Sequence, residues 1–463
     1  MTHLNKNEFA DAVRKGLGRA YLHVKNHGDA DIQDALLNAC LHDLRYDTQA
    51  ESNRSGWLMQ VIKLTGNQPW YEQRIVAALE STTDITDPLQ LFPLCGAFAK
   101  EGNARARDAV YTKFTRNPLE WNWAGGCALA EMDGLGGFLS AAEIIGARLL
   151  SDPEEHVSDD LFCYLQERYG KERVLEAIGE RALQSEQVKK YLDHVQQKAG
   201  TPDTFSDNTT YPNTLGFNSP ENIKKRTRTK WPLSKILAAA ENAEGEHPSF
   251  YRAFGKCAEE DEIESIFKKL LSENRPEQLI RLLWVFQWRP LPALDDRIIG
   301  FACSDNEGLR SAAIDCLSYS EDERVHDLAL RIFENPQARL AGCGIQLLKL
   351  NYRKGDNIKI ENLLRQLQGV DIDPLWCAKD VLDVAENSGR GDMPGPLLWV
   401  YENIPCACSY CRGKAVKLLL ENGSAPPDIL QECLHDCNTE TSAAAQVHLK
   451  SGQRQVEILP GAK

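Results

Sequence analysis

From residue 275 onward, apolar positions recur at helical spacing in blocks separated by prolines, glycines and acidic or amide residues, and the blocks come in pairs. Residues 275–288 pair with 291–304, 305–320 with 321–334, 335–352 with 358–369, 373–388 with 394–404, and 408–423 with 426–438, and 439–449 closes the series. Equivalent helices start near Pro276, Glu307, Pro336, Pro374, Ser409 and Glu440, a spacing of about 30 to 38 residues that suits stacked helix pairs. Within 305–320, Leu309, Ala312, Ala313, Cys316 and Leu317 stand at i, i+3, i+4, i+7 and i+8, so one helix face is expected to be buried. Asp305 and Asn306 are suited to cap that helix, and Pro336 and Pro374 stand where a first-turn proline is tolerated because its missing N–H would be unpaired anyway. Gly423 and Pro426–Pro427 stop one helix and start the next.

The stretch DNEGLRSAAIDCL, an acidic turn followed by an arginine and small residues, resembles a helix of a HEAT-like repeat. The resemblance covers about 275–450. It implies an all-α chain whose C-terminal half is a right-handed α-solenoid of HEAT-like helix pairs. It carries over no catalytic residue, because such stacks serve as scaffolds, adaptors, lyases and nucleic-acid binders alike.

The first half is helix-rich but less regular. Helices are predicted over about 7–25, 29–46, 53–65, 70–80, 89–101, 103–116, 137–151, 158–169 and 171–198, with no alternating strand pattern. Residues 199–232 are rich in Thr, Asn, Pro and Gly and poor in apolar anchors, which predicts a linker or long loop. The expected division is an irregular helical domain over 1–198, the joint at 199–232, and the α-solenoid over 233–463.

Composition narrows the functional classes. An apolar fraction of 42% and a charged fraction of 26% are those of a folded chain. A net charge of −14 opposes broad, salt-driven binding to polyanions. No segment has the length and apolarity of a membrane span, and the N-terminal stretch lacks a signal-peptide core, so a cytoplasmic protein with no membrane role is expected. In a reducing compartment most of the 14 cysteines read as small buried hydrophobes.

Four groups of side chains bear chemistry. Cys406, Cys408 and Cys411 form C-x-C-x-x-C, and Cys433, His435 and Cys437 follow one helix later; four such ligands would suit tetrahedral zinc, the one cofactor the sequence suggests. Cys408 and Cys411 alone, at a helix N-terminus, would suit thiol–disulfide exchange, and plain packing, the leading reading, accounts for all of them. Arg14, Lys15 and Arg19, with Asp47, Glu51 and Arg54, place mixed charge between adjacent helices, as a solvated face, an internal ion network or a ligand notch. Lys224, Lys225, Arg226, Arg228 and Lys230 beside Trp231 would contact phosphates and stack on a base, unless the acidic run 258–264 neutralises them. Trp121, Trp123, Trp284, Phe286 and Trp288 would anchor a partner if exposed and fill the core if not.

Asp133–Gly134 and the glycines after it read as a turn between helices. No nucleophile–base pair or cofactor loop stands at a recognisable spacing, so catalysis is not expected. The function expected from the array is a protein-interaction scaffold or adaptor with a protein partner. Nucleic-acid binding through 224–231, or an enzymatic site without a known pattern, are the alternatives.

Overall fold

The computed structural model describes residues 3–48, 51–83, 86–200, 231–242, 247–334, 341–367, 374–389, 391–403 and 408–457. Among them the regular structure is helical, with 26 helices and no strand. The chain divides into two compact units, Met1–Asp207 with Ala407–Tyr410 and Pro427–Lys463, and Asn208–Cys406 with Cys411–Pro426.

The first unit begins with α1 (Lys6–Lys15), α2 (Gly18–His27), α3 (Gln33–Leu41), α4 (Ser55–Leu64), α5 (Gln68–Ser81) and α6 (Pro88–Lys100). It continues with α7 (Ala104–Arg116), α8 (Asn122–Asp133), α9 (Leu135–Ser151), α10 (Asp160–Tyr169), α11 (Lys171–Ala182) and α12 (Glu186–Gly200). Alternate helices pack on one another: α2 on α4, α4 on α6 and α6 on α8 form one layer, and α1 on α3, α3 on α5 and α5 on α7 form the other. The residues predicted as one helix over 7–25 make two, because Gly16 takes φ +71° and ends α1 in the left-handed region. The residues predicted as one helix over 171–198 break at 183–185 into α11 and α12. Helix α8 was not among the predicted elements.

The second unit holds α13 (Leu233–Glu241), α14 (Pro248–Cys257), α15 (Glu260–Ser272), α16 (Pro276–Trp284), α17 (Asp296–Phe301) and α18 (Glu307–Leu317). After these come α19 (Glu323–Glu334), α20 (Ala341–Leu347), α21 (Asp356–Gln366), α22 (Pro374–Ser388), α23 (Pro394–Asn403) and most of α24 (Ser409–Glu421). One layer runs α14, α16, α18, α20, α22, each member against the next; in the other, α17 meets α19 and α21 meets α23. The predicted starts at Pro276, Glu307, Pro374 and Ser409 are helix starts, and Pro336 lies outside the described residues. Asn306 caps α18, its side chain accepting the Leu309 N–H at 3.0 Å. Leu309, Ala312, Ala313, Cys316 and Leu317 are all buried, as the period requires.

The last two helices, α25 (Pro427–Cys433) and α26 (Thr439–Glu457), belong to the first unit. α25 packs on α2. Two glycines make that approach feasible. A Cβ at Gly18 would lie 1.9 Å from the Glu432 carbonyl oxygen, and one at Gly16 would lie 2.2 Å from Cys437 Sγ. The Gly16 carbonyl in turn accepts the Cys437 N–H at 2.9 Å. The glycines of KGLGRAYL therefore serve a backbone-to-backbone seam.

Candidate functional site

The mixed-charge group of the first unit has a buried centre and a half-exposed margin. Glu51 and Arg54 are buried and paired at 2.7 Å. Glu51 Oε1 accepts the N–H groups of Tyr46 at 2.8 Å and Asp47 at 3.2 Å, and Oε2 accepts that of Ser409 at 2.8 Å. Burial works against the Glu51 carboxylate, but the Arg54 charge and these N–H groups outweigh it and hold its pKa below the ordinary value. Arg54 also donates to the Arg14 carbonyl. Arg14 and Lys15 pair with Asp11 at 2.6 and 2.7 Å, and Arg19 reaches Glu432 at 2.7 Å. Asp47 is exposed and contributes through its backbone.

The cysteine group is divided. Cys408, Cys411, Cys433 and Cys437 are buried, and Cys406 lies outside the described residues. The His435 ring stacks on Tyr21 with centroids 4.4 Å apart and planes 7° from parallel, while its carbonyl accepts the Trp57 indole N–H at 2.8 Å. Burial and the Lys25 charge lower the His435 pKa, favouring the neutral ring. Among the described residues no three His, Cys, Asp or Glu side chains gather into a group fitted to a metal ion.

Lys224, Lys225, Arg226, Arg228 and Lys230 lie outside the described residues; Trp231 is half-buried, its ring edge-on to Phe250 at 5.3 Å. Of the large aromatics, Trp121 and Phe286 are core and Trp284 is half-buried, whereas Trp123 and Trp288 are exposed.

The site that the sequence did not disclose lies in the second unit. A cavity of about 620 Å³ opens on the layer formed by α14, α16, α18, α20 and α22. Its lining comes from α14, α18, α20 and α22 and from the turns after α16, α18 and α20. On α18, Glu307, Ser311 and Asp315 stand at i, i+4 and i+8, with Ser318 next along the stripe. Gly342 and Gln346 of α20 stand four apart, with Lys349 in the turn that follows. Lys379, Asp380 and Asp383 come from α22, and Arg252 of α14 stands at the rim with Trp288.

The charges in this cavity are unevenly compensated. Asp315 accepts from the Gln287 amide at 2.6 Å and the Gln346 amide at 2.9 Å. Lys349 pairs with Asp383 at 3.5 Å and lies 4.8 Å from the Tyr319 ring centre. Lys414 lies 3.9 Å from Asp383 but closer, at 2.8 Å, to Glu386. Arg252 bonds the Gln287 side chain, and Lys256 sits 3.8 Å over the Trp288 ring. No hydrogen bond or ion pair joins Asp380 to another described residue. Burial, then the neighbouring Asp383 charge, pushes the Asp380 pKa well above the ordinary carboxyl value, and burial raises that of Asp315. Burial and the same two aspartates push the Cys343 thiol up to about 11, so it stays protonated and non-nucleophilic near neutrality.

The sequence signal for this cavity was the polar stripe on α18, opposite the apolar face that marked the helix. Its partners lie on helices about 30 residues further along, and each alone resembles a solvated surface position.

No family model matches the chain, and no curated protein and no solved structure matches it either. Among the described residues no helix is long and apolar enough to cross a membrane.

Proposed function

We propose that this chain is an interaction scaffold of the HEAT-like, α-solenoid kind, and that the second unit receives a protein partner in the cavity lined by α14, α18, α20 and α22. The helix-on-next-but-one packing of these elements supports the solenoid reading, since stacked pairs bury their cores between layers and leave one face of a layer for binding. The observation that carries the functional reading is the cavity itself. Its volume of about 620 Å³ falls in the range of ligand pockets, and it gathers amide, hydroxyl, carboxylate and ammonium groups beside a half-exposed tryptophan. The Cys343 thiol in its wall is held protonated, and no nucleophile–base pair stands among its described lining residues, which favours binding over covalent chemistry.

The test is site-specific photocrosslinking in the native host. A crosslinking residue at Ser311, on the cavity wall, is expected to capture a discrete partner, and one at the exposed Ile358 of α21 is expected to capture none. Equal labelling from both positions, or none from Ser311, refutes the reading.

A further inference from the structure

The cavity of the second unit has a chemical preference that the scaffold reading, on which this inference rests, does not specify. Two of its carboxylates, Asp380 and Asp383, stand three apart on α22 and so share one helix face. Asp315 of α18 faces the same space, and its two glutamine partners fix its orientation without neutralising it. Of the cations that line the cavity, Lys349 is engaged by Asp383 and by the Tyr319 ring, Arg252 is turned to Gln287 and the Trp288 ring, and Lys379, next to Asp380 on α22, acts on it through its charge without a hydrogen bond. Asp380 is thus the half-buried acid of the cavity that has no hydrogen bond or ion pair among the described residues; Glu307, likewise without one, is exposed. Space beside Asp380 is kept by Gly342, where an added Cβ would lie 3.7 Å from Asp380 Oδ2 and 3.4 Å from Cys377 Sγ. Any larger side chain at 342 would grow into the cavity.

We infer that the cavity seats an arginine side chain carried on an extended polypeptide segment, with Asp380 as the principal acceptor and Asp383 and Asp315 completing the anionic wall. A guanidinium fits better than an ammonium for two reasons. Its planar fork can bridge carboxylates on different helices, and its weak hydration makes removal from water less costly. A polypeptide fits better than a small polycation because the cavity is several times larger than one side chain, and because Ser311, Gln346 and the Trp288 edge line it with groups suited to a backbone.

The test is selection of random dodecapeptides on the intact chain, then anisotropy titration of one labelled winner and of its arginine-to-citrulline counterpart, which keeps the shape and removes the charge. Arginine is expected to be enriched at one position. Citrulline, Asp380→Asn and Gly342→Leu are each expected to weaken binding about 10-fold or more. Asp428→Asn, outside the cavity, is expected to change nothing. Retention of the wild-type helical circular dichroism and melting point by Asp380→Asn keeps the result interpretable, and Gly342→Leu tests the same seat without altering charge.

Peptides that bind independently of arginine and of Asp380, yet are lost in Gly342→Leu, overturn this inference and leave the scaffold reading standing. Failure to select any peptide sensitive to Gly342→Leu overturns both. Displacement of the peptide by spermidine at matched affinity, with the same dependence on Asp380, overturns the polypeptide assignment in favour of a small polycation.

Discussion

In the first unit both oxygens of Glu51 are used, by three backbone N–H groups and the Arg54 guanidinium, whereas in the second unit Asp380 has no such partner among the described residues. Both are acids in the same helical background. One is ionised and saturated, and its neighbourhood is closed by a glycine seam; the other has its proton affinity raised and borders a cavity held open by a glycine. A buried carboxylate that the fold completes is an element of stability. One that the fold leaves incomplete is where we propose that a partner binds.

The comparison breaks first at Glu51. Glu51→Gln leaves Arg54 buried without its counter-charge, and a loss of about 3–5 kcal/mol is expected in urea denaturation. Asp380→Asn, the matched change in the other unit, is expected to leave stability unchanged or raised, since burial and the Asp383 charge work against the carboxylate there. Equal losses at the two positions would abolish the contrast.

Next in size is the seam. Gly18→Ala places a methyl against the Glu432 carbonyl, a backbone atom that cannot swing aside, and a cost of about 1–3 kcal/mol is expected. Hydrogen exchange is expected to rise in α2 and α25 together.

Acidity should separate the units by sign. His23 and His435 have lowered pKa values, chiefly through burial, so their stabilising contribution is full above the ordinary histidine value of 6.5 and falls away as pH drops below it. Glu51 acts in the same direction, from its ordinary 4.5 downward. Asp315 and Asp380 act oppositely: their raised pKa values contribute most below the ordinary 3.8, and that contribution is lost as pH rises through the folded values. The groups facing them are Glu307 and Asp383 with Arg252, Lys349 and Lys379, from three different helices and the turn after α20. Exchange protection, corrected for intrinsic rate, is expected to fall in α2 and α25 as pH is lowered below 6.5 and to rise in α18 and α22 as it is lowered toward 3.8. The same sign in both units would show that these groups do not govern local stability.

The smallest effect is at Gly342. Its Cβ space is open enough for alanine, so Gly342→Ala is expected to be neutral or to gain up to about 1 kcal/mol from helix propensity, in contrast to Gly18→Ala.

The helices of the second unit were largely legible because their ends are written locally. Pro276, Pro374 and the Asn306 cap act within one turn of the residues they organise. Helix α8 was not legible, because Gly125 and Gly126 depress its propensity and its apolar residues face all round. The glycines are there for distance: a Cβ would come within 2.5 Å of the Phe114 ring and 2.4 Å of Leu161. The charge group around Glu51 was visible, but the choice among a solvated face, an internal network and a ligand notch was not, because the N–H groups that complete it arrive from loops and from residue 409. The cavity was hidden for a related reason. Asp315 and Asp380 are 65 positions apart, and no local pattern distinguishes them from solvated helix residues.

The seam between α2 and α25 also bears on how the protein is made. Arg19 meets Glu432 across a separation of 413 residues. At a synthesis rate of about 5–20 residues per second, about 20–80 s pass between the two leaving the ribosome. Throughout that interval α2 and α4 lack the partners that residues 432–437 supply, so this part of the first unit can be completed only after the last helices are made, and a chain truncated before them would lack the seam.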